Sequence, residues 1–202
     1  MLPIKSKYKI GKRLGPGVFE QLQTQKFALS EARSKNRREK RGRRGGSDYG
    51  RQLLEKQRLR FTYGLSERQL ANYVKKATSA PEPSVFLHRA LEMRADNIVY
   101  RAGLAPTRRA ARQMVSHGHI NVNDRRITVP SYTVRIGDVI TVREASRAKT
   151  LFAQNDESEA GPAHPSWLTY DRALLRIEIK TEPMHTAGSG IDYATVFEFY
   201  SR

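Results

Sequence analysis

Three arginines, Arg108, Arg109 and Arg112, lie close together near the middle of the sequence. If residues 107–118 are wound as a helix, the arginines fall on one face and the apolar residues on the opposite face, with Thr107 as the N-cap. Cations in a first turn oppose the helix macrodipole at about 0.3–1 kcal/mol each, so three together are unfavourable for the helix alone. A helix N-terminus that carries guanidinium groups is, however, well suited to bind phosphate. The pattern therefore predicts a helix that faces RNA, although a single arginine would indicate only a solvated face.

A short hairpin with a basic tip is predicted directly after this helix. Gly118 is expected to end the helix, and residues 120–123 alternate between apolar and polar side chains with a period of two. Asn123-Asp124 then leads into a second strand that begins with Arg125 and Arg126. The candidate RNA contacts of this region are Arg108, Arg109, Arg112, Ser116, His117, His119, Asn123, Arg125 and Arg126.

More strands are expected towards the end of the chain. Residues 134–142 are predicted to form a strand pair that turns at Gly137-Asp138, and residues 176–180 alternate as a strand. Residues 191–200 fit either a strand, by alternation, or a helix that Asp192 caps. Residues 153–165 form an acidic segment with glycine and proline, which is typical of a loop.

Residues 48–84 are predicted to form a helical domain, with a break at residues 81–84. One helix carries an apolar strip and ends at Gly64, and the next begins at Ser66 with Gln69 in a capping box. Because the link between them is short, the two helices should be neighbours. Ser84 is expected to cap a further helix that runs to about Arg94. The candidate RNA contacts on the first of these helices are Arg51, Lys56, Arg58 and Arg60.

The first 47 residues are interpreted as a basic extension. No helix or sheet is well specified in residues 1–17, and the twelve residues 33–44 hold eight cations against one acidic residue. Such a block is usually a disordered arm that orders against nucleic acid, and a nuclear-import signal is the alternative. Its candidate RNA contacts are Arg33, Arg37, Arg38, Arg41, Arg43 and Arg44.

Composition agrees with an anionic partner. The chain has 202 residues, 38% of them hydrophobic, and a formal net charge of +17. Residues 1–60 carry a net +13, residues 61–150 a net +8 and residues 151–202 a net −4, so the basic character lies in the first three quarters. No segment resembles a membrane span or a signal peptide, so we expect a soluble intracellular protein. Cysteine is absent and the five histidines are scattered, so neither a metal nor a cofactor is expected.

Several strings resemble the S-four RNA-binding domain and, beyond it, small-subunit ribosomal protein four. In the central domain the resemblance is carried by residues 96–103, 107–112, 117–123 and 134–142, and outside it by residues 54–70, 91–101 and 197–202. The family usually has glycine where this chain has Asp124. Many members carry a cysteine zinc cluster near the N-terminus, so this chain would be of the zinc-free bacterial or organellar kind.

The expected fold is α+β. A mostly helical N-terminal domain with a basic extended arm is expected to precede a small S-four domain of short helices and antiparallel strands. The predicted boundaries are 1–47 for the extension, 48–84 for the helical domain joined by the C-terminal segment 181–202, and 85–180 for the S-four domain. The resemblance also favours a short helix at the C-terminal end.

The resemblance implies a primary rRNA-binding protein that binds the 5′ domain of small-subunit rRNA and nucleates assembly of the subunit body. It also implies contact with small-subunit ribosomal protein five, at an interface linked to translational accuracy, and with mRNA near its entry channel. No homo-oligomer or membrane contact is expected. The expected location is the cytoplasmic ribosome, with a plastid or mitochondrial ribosome as the alternative.

Three other functions fit the sequence less well. An RNA-modifying enzyme with an accessory S-four domain needs a large catalytic domain, for which no segment is long enough, and Asp96 and Asp138 are better interpreted as a helix cap and a turn residue. A stand-alone S-four-domain RNA-binding translation regulator would leave the helices of residues 48–78 and the matching C-terminus unexplained. A DNA-binding repressor would need a helix-turn-helix that leads into a dimer element. We therefore expect no enzymatic activity.

Overall fold

The computed structural model describes residue 4 and residues 6–39, 47–147, 164–185 and 190–201. The chain divides into two compact units. One comprises Met1–Leu87 with Thr186–Arg202, and the other comprises His88–His185. The combination of helices with an antiparallel sheet confirms the predicted α+β class.

The helices and strands follow one another in a simple order, with two short 3-10 turns (Pro16–Val18 and Glu20–Leu22) after the first helix. In chain order they are α1 (Lys7–Leu14), α2 (Gln25–Glu39), α3 (Asp48–Thr62), α4 (Glu67–Thr78), α5 (Pro83–Glu92), α6 (Ala95–Arg101), α7 (Arg108–Ser116), β1 (Ile120–Val122), β2 (Arg125–Ile127), β3 (Val139–Val142), α8 (Glu144–Arg147), β4 (Leu168–Asp171), β5 (Arg176–Ile179) and α9 (Tyr193–Tyr200). None of the helices in these described ranges is both long and apolar enough to cross a membrane.

The N-terminal segment is more ordered than the sequence analysis expected. Residues 7–14 form α1, and a small core of their own joins this helix to the turns and α2. Leu14, Leu22 and Phe27 are each almost fully buried in that core. The prediction of no helix in residues 1–17 was wrong: α1 forms because residues that follow it, among them Leu22 and Phe27, cover its apolar side. The basic block begins inside α2, which reaches Glu39.

The helical hairpin of α3 and α4 forms as predicted. Gly64, with φ of +62°, follows the end of α3. Ser66 Oγ accepts a hydrogen bond from the Gln69 backbone N–H (3.3 Å), and Gln69 Oε1 accepts one from the Ser66 N–H (3.1 Å), which completes the capping box. Residues 193–200 form α9, whose Asp192 cap accepts the Thr195 N–H (3.2 Å). The helical alternative for residues 191–200 is therefore confirmed.

The second unit packs α6 and α7 with a five-stranded antiparallel sheet in the order β2-β1-β3-β5-β4. Ile120 of β1 lies opposite Ile127 of β2 and Val142 of β3, and Ile140 lies opposite Ile177 of β5. The alternation of β1 and β3 thus places apolar side chains in the core. Among the core residues of this unit are Ile98, Ala111, Met114, Val115, Ile120, Val122, Ile140, Val142, Trp167, Leu168, Ile177 and Ile179.

Three local expectations differ from the structure. Residues 134–142 do not pair as two strands: only Val139–Val142 is a strand, and Val134 instead donates its N–H to the Met93 carbonyl (2.9 Å) beside the start of α6. The helix expected after Ser84 begins at Pro83, because proline fits the first turn of a helix. Asp96 lies inside the first turn of α6, whose N-cap position is Arg94.

Candidate nucleic-acid interface

The N-terminus of α7 has the cap that the sequence predicted. Thr107 Oγ1 accepts a hydrogen bond from the Ala110 N–H (3.1 Å). Ala111 and Met114 lie in the core, while Arg108, Arg109 and Arg112 lie on the outer side of the helix with partial or full exposure. The three arginines therefore share one surface, as the helical spacing indicated.

Arg112 is held by a buried carboxylate. Asp96 Oδ2 accepts hydrogen bonds from Arg112 Nε (2.8 Å) and Arg94 Nη2 (2.8 Å), and Asp96 Oδ1 accepts one from Arg94 Nε (3.0 Å). Asp96 is 4% exposed and Arg94 is 2% exposed, so one buried carboxylate pairs with a buried arginine and with the partly exposed Arg112. Burial without these partners would be costly.

Arg108 is held by a second buried network. Glu92 is 1% exposed and accepts a bidentate pair of hydrogen bonds from Arg101 (2.7 and 2.8 Å). Glu92 also accepts a hydrogen bond from Asn97 Nδ2 (2.8 Å), which fixes the orientation of that amide. Asn97 Oδ1 in turn accepts a hydrogen bond from Arg108 Nε (2.9 Å). The guanidinium carbon of Arg108 lies 4.3 Å from the ring centroid of Tyr100. Two of the predicted contacts are thus fixed by α6 before any RNA is present.

Arg109 differs from its two neighbours. It is exposed, and it makes no ion pair or hydrogen bond with any residue in the ranges that the structure describes. Ser116 at the other end of α7 donates its hydroxyl to the Arg112 carbonyl (2.7 Å). The α7 surface therefore combines two fixed guanidinium groups with one solvated group.

The hairpin adds two exposed arginines on β2, the edge strand of the sheet. Asn123 and Asp124 both have positive φ, 48° and 62°, which gives a type I′ turn and accommodates aspartate where the family usually has glycine. Arg126 donates to the carbonyl of His117 (3.3 Å) across Gly118, whereas Arg125 has no such contact in the described ranges. Arg125 is the more available of the two.

Two predicted contacts have internal partners. Asn123 Nδ2 donates to Asp138 (2.8 Å) and Asn123 Oδ1 accepts the Val139 N–H (2.9 Å), so this side chain joins the hairpin to β3. His119 is buried, with Nδ1 2.9 Å from Ser146 Oγ. His117 is exposed. We therefore retain His117 in the proposed surface and assign structural roles to Asn123 and His119.

In the first unit, Lys56 and Arg60 converge on one carboxylate. Lys56 Nζ and the Tyr200 hydroxyl donate to Glu67 Oε1 (2.9 and 2.7 Å), and Arg60 Nη1 donates to Oε2 (2.9 Å). Lys56 is only 6% exposed and also lies 4.3 Å from the ring centroid of Phe199. Both cations were predicted to contact RNA, but their geometry ties α3 to α4 and α9.

This cluster shifts two pKa values. Burial of the Glu67 carboxyl opposes its ionisation, but the hydrogen bonds from Lys56, Tyr200 and Arg60 outweigh burial, so its pKa is lowered. Burial and the hydrogen bond to the Glu67 carboxylate raise the pKa of Tyr200. Glu67 is therefore held as the anion on which the three donors depend.

The other predicted contacts of the first unit vary in exposure. Arg58 donates to the carbonyls of Leu14 (2.9 Å) and Gly190 (3.1 Å), whereas Arg51 is exposed beside Asp48. Arg33 is exposed on α2. For Arg37 and Arg38 only the helical backbone is described, and Arg41, Arg43 and Arg44 lie outside the described residues.

A basic face on α4 was missed by the sequence analysis. Arg68, Asn72, Lys75 and Lys76 are all exposed, and none forms an ion pair within the described part of the chain. They follow the i, i+4, i+7, i+8 spacing, opposite the buried residues Leu70, Val74 and Ala77. The sequence contained the signal: the residues of α4 that face away from its apolar stripe include two adjacent lysines, which were not recognised as part of a basic face.

Within the described ranges no three histidine or acidic side chains come together as a metal site. The candidate site therefore consists of cations, chosen on the surfaces described above. In the second unit they are the partly or fully exposed Arg108, Arg109, Arg112, Arg125 and Arg126, and in the first unit they are the exposed Arg33, Arg51, Arg68, Lys75 and Lys76.

Comparison with known proteins accounts for most of the sequence. Residues 4–92 match the family described as the ribosomal protein S4/S9 N-terminal domain, and residues 93–140 match the S4 domain. The small ribosomal subunit protein uS4 of Roseiflexus sp. (strain RS-1) is 43% identical over 202 residues, with 96% of both chains covered. Protein uS4 of Synechococcus sp. (strain JA-2-3B'a(2-13)) is 45% identical over 162 residues (79% of both chains), and protein uS4c of Oltmannsiellopsis viridis is 41% identical over 170 residues (80% of this chain and 84% of the relative).

Proposed function

We propose that the chain, which belongs to the ribosomal protein S4 family of structural, non-enzymatic proteins of the small ribosomal subunit, is a primary rRNA-binding protein. It binds the 5′ domain of small-subunit rRNA directly and nucleates assembly of the subunit body. The observation that carries the proposal is the α7 surface, where Asp96 and Asn97 fix two arginines beside the exposed Arg109.

Fixed arginines suit a folded RNA better than a flexible one. A guanidinium group that is already oriented loses less side-chain entropy when it meets a phosphate, so more of the contact energy appears as affinity. The phosphates must then lie at positions that match the protein. Phosphate contacts of this kind orient the protein, while recognition rests on RNA shape and on irregular sites, because side chains cannot read the deep, narrow groove of A-form RNA.

The two units contribute different kinds of basic surface. The first unit presents exposed cations along α2, α3 and α4, whose contacts with phosphate would raise affinity for any RNA. The second unit presents fixed guanidinium groups, which favour one arrangement of phosphates. We propose that the first increases affinity and that the second selects the folded site.

A primary binder needs no other protein for its site. The test is binding of the purified chain to the isolated, folded 5′ domain RNA, beside the same RNA refolded without magnesium and duplex RNA of equal length. Tight binding to the folded domain in the absence of every other ribosomal protein supports the proposal. Binding that appears only after other small-subunit proteins have been added would show that the chain is a later assembly component.

We further propose the two partners that the family resemblance implies: small-subunit ribosomal protein five, through which the chain would influence translational accuracy, and mRNA near its entry channel. Support comes from family membership rather than from a particular contact. A misreading reporter in cells that carry surface variants of this chain tests the first partner. Unchanged misreading across variants that weaken its binding to protein five would contradict it.

A further inference from the structure

An apolar turn interrupts the basic surface of the second unit. In this turn Val129 and Tyr132 are 56% and 43% exposed, and Ile136, in the next turn along the chain, is 52% exposed. The twelve residues from Arg125 to Ile136 contain three exposed arginines and no acidic residue. The segment that contains the turn therefore combines exposed apolar side chains with exposed arginines.

The backbone of this turn is fixed. Its carbonyl groups cap the start of α6: Tyr132 O accepts the Ala95 N–H (2.9 Å) and Pro130 O accepts the Asp96 N–H (3.1 Å). They replace a side-chain cap, since Arg94 at the N-cap position provides none. The Tyr132 N–H also donates to Val129 O (3.1 Å). The exposed side chains are thus held on a rigid backbone rather than on a mobile loop.

The turn adjoins the α7 surface through one residue. Asp96 bonds Pro130 through its backbone N–H and Arg112 through its carboxylate (2.8 Å). The backbone that carries Tyr132 and the guanidinium group of Arg112 are therefore anchored on the same residue. A molecule that binds phosphate through Arg112 would place its neighbouring groups near this turn.

We propose that Tyr132, with Val129 beside it, is a stacking platform for one unpaired base of the bound RNA. The inference rests on the proposed rRNA binding and adds a base contact to it. An exposed aromatic ring among arginines is the combination that single-stranded RNA sites use, because every base offers a face for stacking and the arginines neutralise the adjoining phosphates. Two side chains present too little area for a protein partner, which typically needs about 800 Å² on each side.

The chain offers substitutions that separate stacking from simple apolar contact. Tyr132→Phe and Tyr132→Trp keep an aromatic face, Tyr132→Leu keeps apolar area without it, and Tyr132→Ala removes both. Leu174→Ala is the matched control, because Leu174 is 54% exposed in the turn between β4 and β5, beside the opposite edge of the sheet from β2. The backbone bonds of residue 132 do not depend on its side chain, so thermal melting should be unchanged in all five variants.

Affinity of the full chain for the folded 5′ domain RNA is the readout, measured across a salt series. Tyr132→Ala and Tyr132→Leu should weaken binding about 5- to 100-fold, the range for loss of one base–aromatic stack, with the salt slope unchanged because no phosphate contact is lost. Tyr132→Phe, Tyr132→Trp and Leu174→Ala should bind within about twofold of the wild type. Tyr132→Trp adds a second tryptophan to Trp167, the chain's one native tryptophan. The fluorescence of the added tryptophan should fall when RNA binds.

Each result decides between the alternatives. Wild-type affinity for Tyr132→Ala, or for Tyr132→Leu, overturns the stacking platform while rRNA binding stands. A loss that appears only when another ribosomal protein is present assigns the turn to a protein partner and also overturns it. Failure of the wild-type chain to select the folded domain refutes the proposed function, and the base contact with it.

Discussion

Asp96→Asn should destabilise the second unit strongly, because it removes a buried carboxylate that accepts hydrogen bonds from two arginines. Arg94 is 2% exposed and would lose its two charged hydrogen bonds to Asp96, while Arg112 would lose the carboxylate that accepts its Nε group. An amide fits the same space but offers one acceptor and turns an N–H₂ group towards guanidinium donors. Removing one member of a buried ion pair typically costs about 3–5 kcal/mol, a large share of the roughly 5–15 kcal/mol that stabilises a domain.

Urea unfolding followed by tryptophan fluorescence measures this cost, since the single tryptophan, Trp167, lies in the same unit. At about 1–3 kcal/mol per molar urea, the midpoint should fall by at least about 1 M. The matched control is Glu182→Gln, because the Glu182 carboxylate also accepts two hydrogen bonds from an arginine, Arg89 (both 2.9 Å), but at the surface. An exposed pair contributes about 0–1 kcal/mol. Equal midpoint shifts for the two variants would refute the view that burial gives the Asp96 network its strength.

Three smaller effects follow from local geometry. Thr107→Ala should lower the free energy of unfolding by about 1 kcal/mol, because it removes the side-chain cap of α7, whereas Thr107→Ser keeps the cap and should not. Equal urea midpoints for the two variants would contradict a stabilising role of the cap. Gly118→Ala should cost about 1–2 kcal/mol in the same assay, because φ is +69° and the new Cβ would meet the Arg126 guanidinium; a neutral result would mean that this turn relaxes freely. Because the pKa of Glu67 is lower in the folded than in the unfolded chain, its ionised carboxylate stabilises the fold at pH values above the unfolded pKa. This stabilisation is lost as the pH falls towards the pKa of the folded state. In Glu67→Gln, the decline in melting temperature below about pH 4.5, followed by circular dichroism, should therefore be flatter. An unchanged acid profile would exclude Glu67 as its source.

Features that depend on a few neighbouring residues were predictable from the sequence. The Ser66 capping box, the Thr107 cap and the hairpin turn at Asn123-Asp124 each need only residues within about four positions, and each is present. The basic face of α7 needed only helical periodicity. These signals are local because hydrogen bonds of caps and tight turns are made within one turn of chain.

Features that depend on distant residues were not predictable in the same way. The residues near Lys56 in the sequence do not indicate that Tyr200 hydrogen-bonds to the same carboxylate, Glu67, because Tyr200 belongs to α9 near the other end of the chain. Asp96 was interpreted as a helix cap, since its pairing with Arg112, 16 positions away, cannot be recognised in the sequence. An exposed arginine and one held by a buried acid look the same in a sequence, which is why the predicted contacts include both solvated cations and cations with internal partners.

Salt dependence of RNA affinity, measured on two double variants of equal charge, shows whether the surface formed by α7 and the hairpin contacts phosphates. Arg109→Ala/Arg125→Ala removes two exposed cations of the proposed surface, and Arg89→Ala/Arg176→Ala removes two partly or fully exposed cations elsewhere in the same unit. With the folded 5′ domain RNA, the first variant should lower the slope of log affinity against log salt by about 1.4–1.8, since each phosphate contact contributes about 0.7–0.9. The second variant should leave the slope close to that of the wild type. Equal slopes for the two variants would mean that affinity follows net charge rather than contacts of the surface formed by α7 and the hairpin.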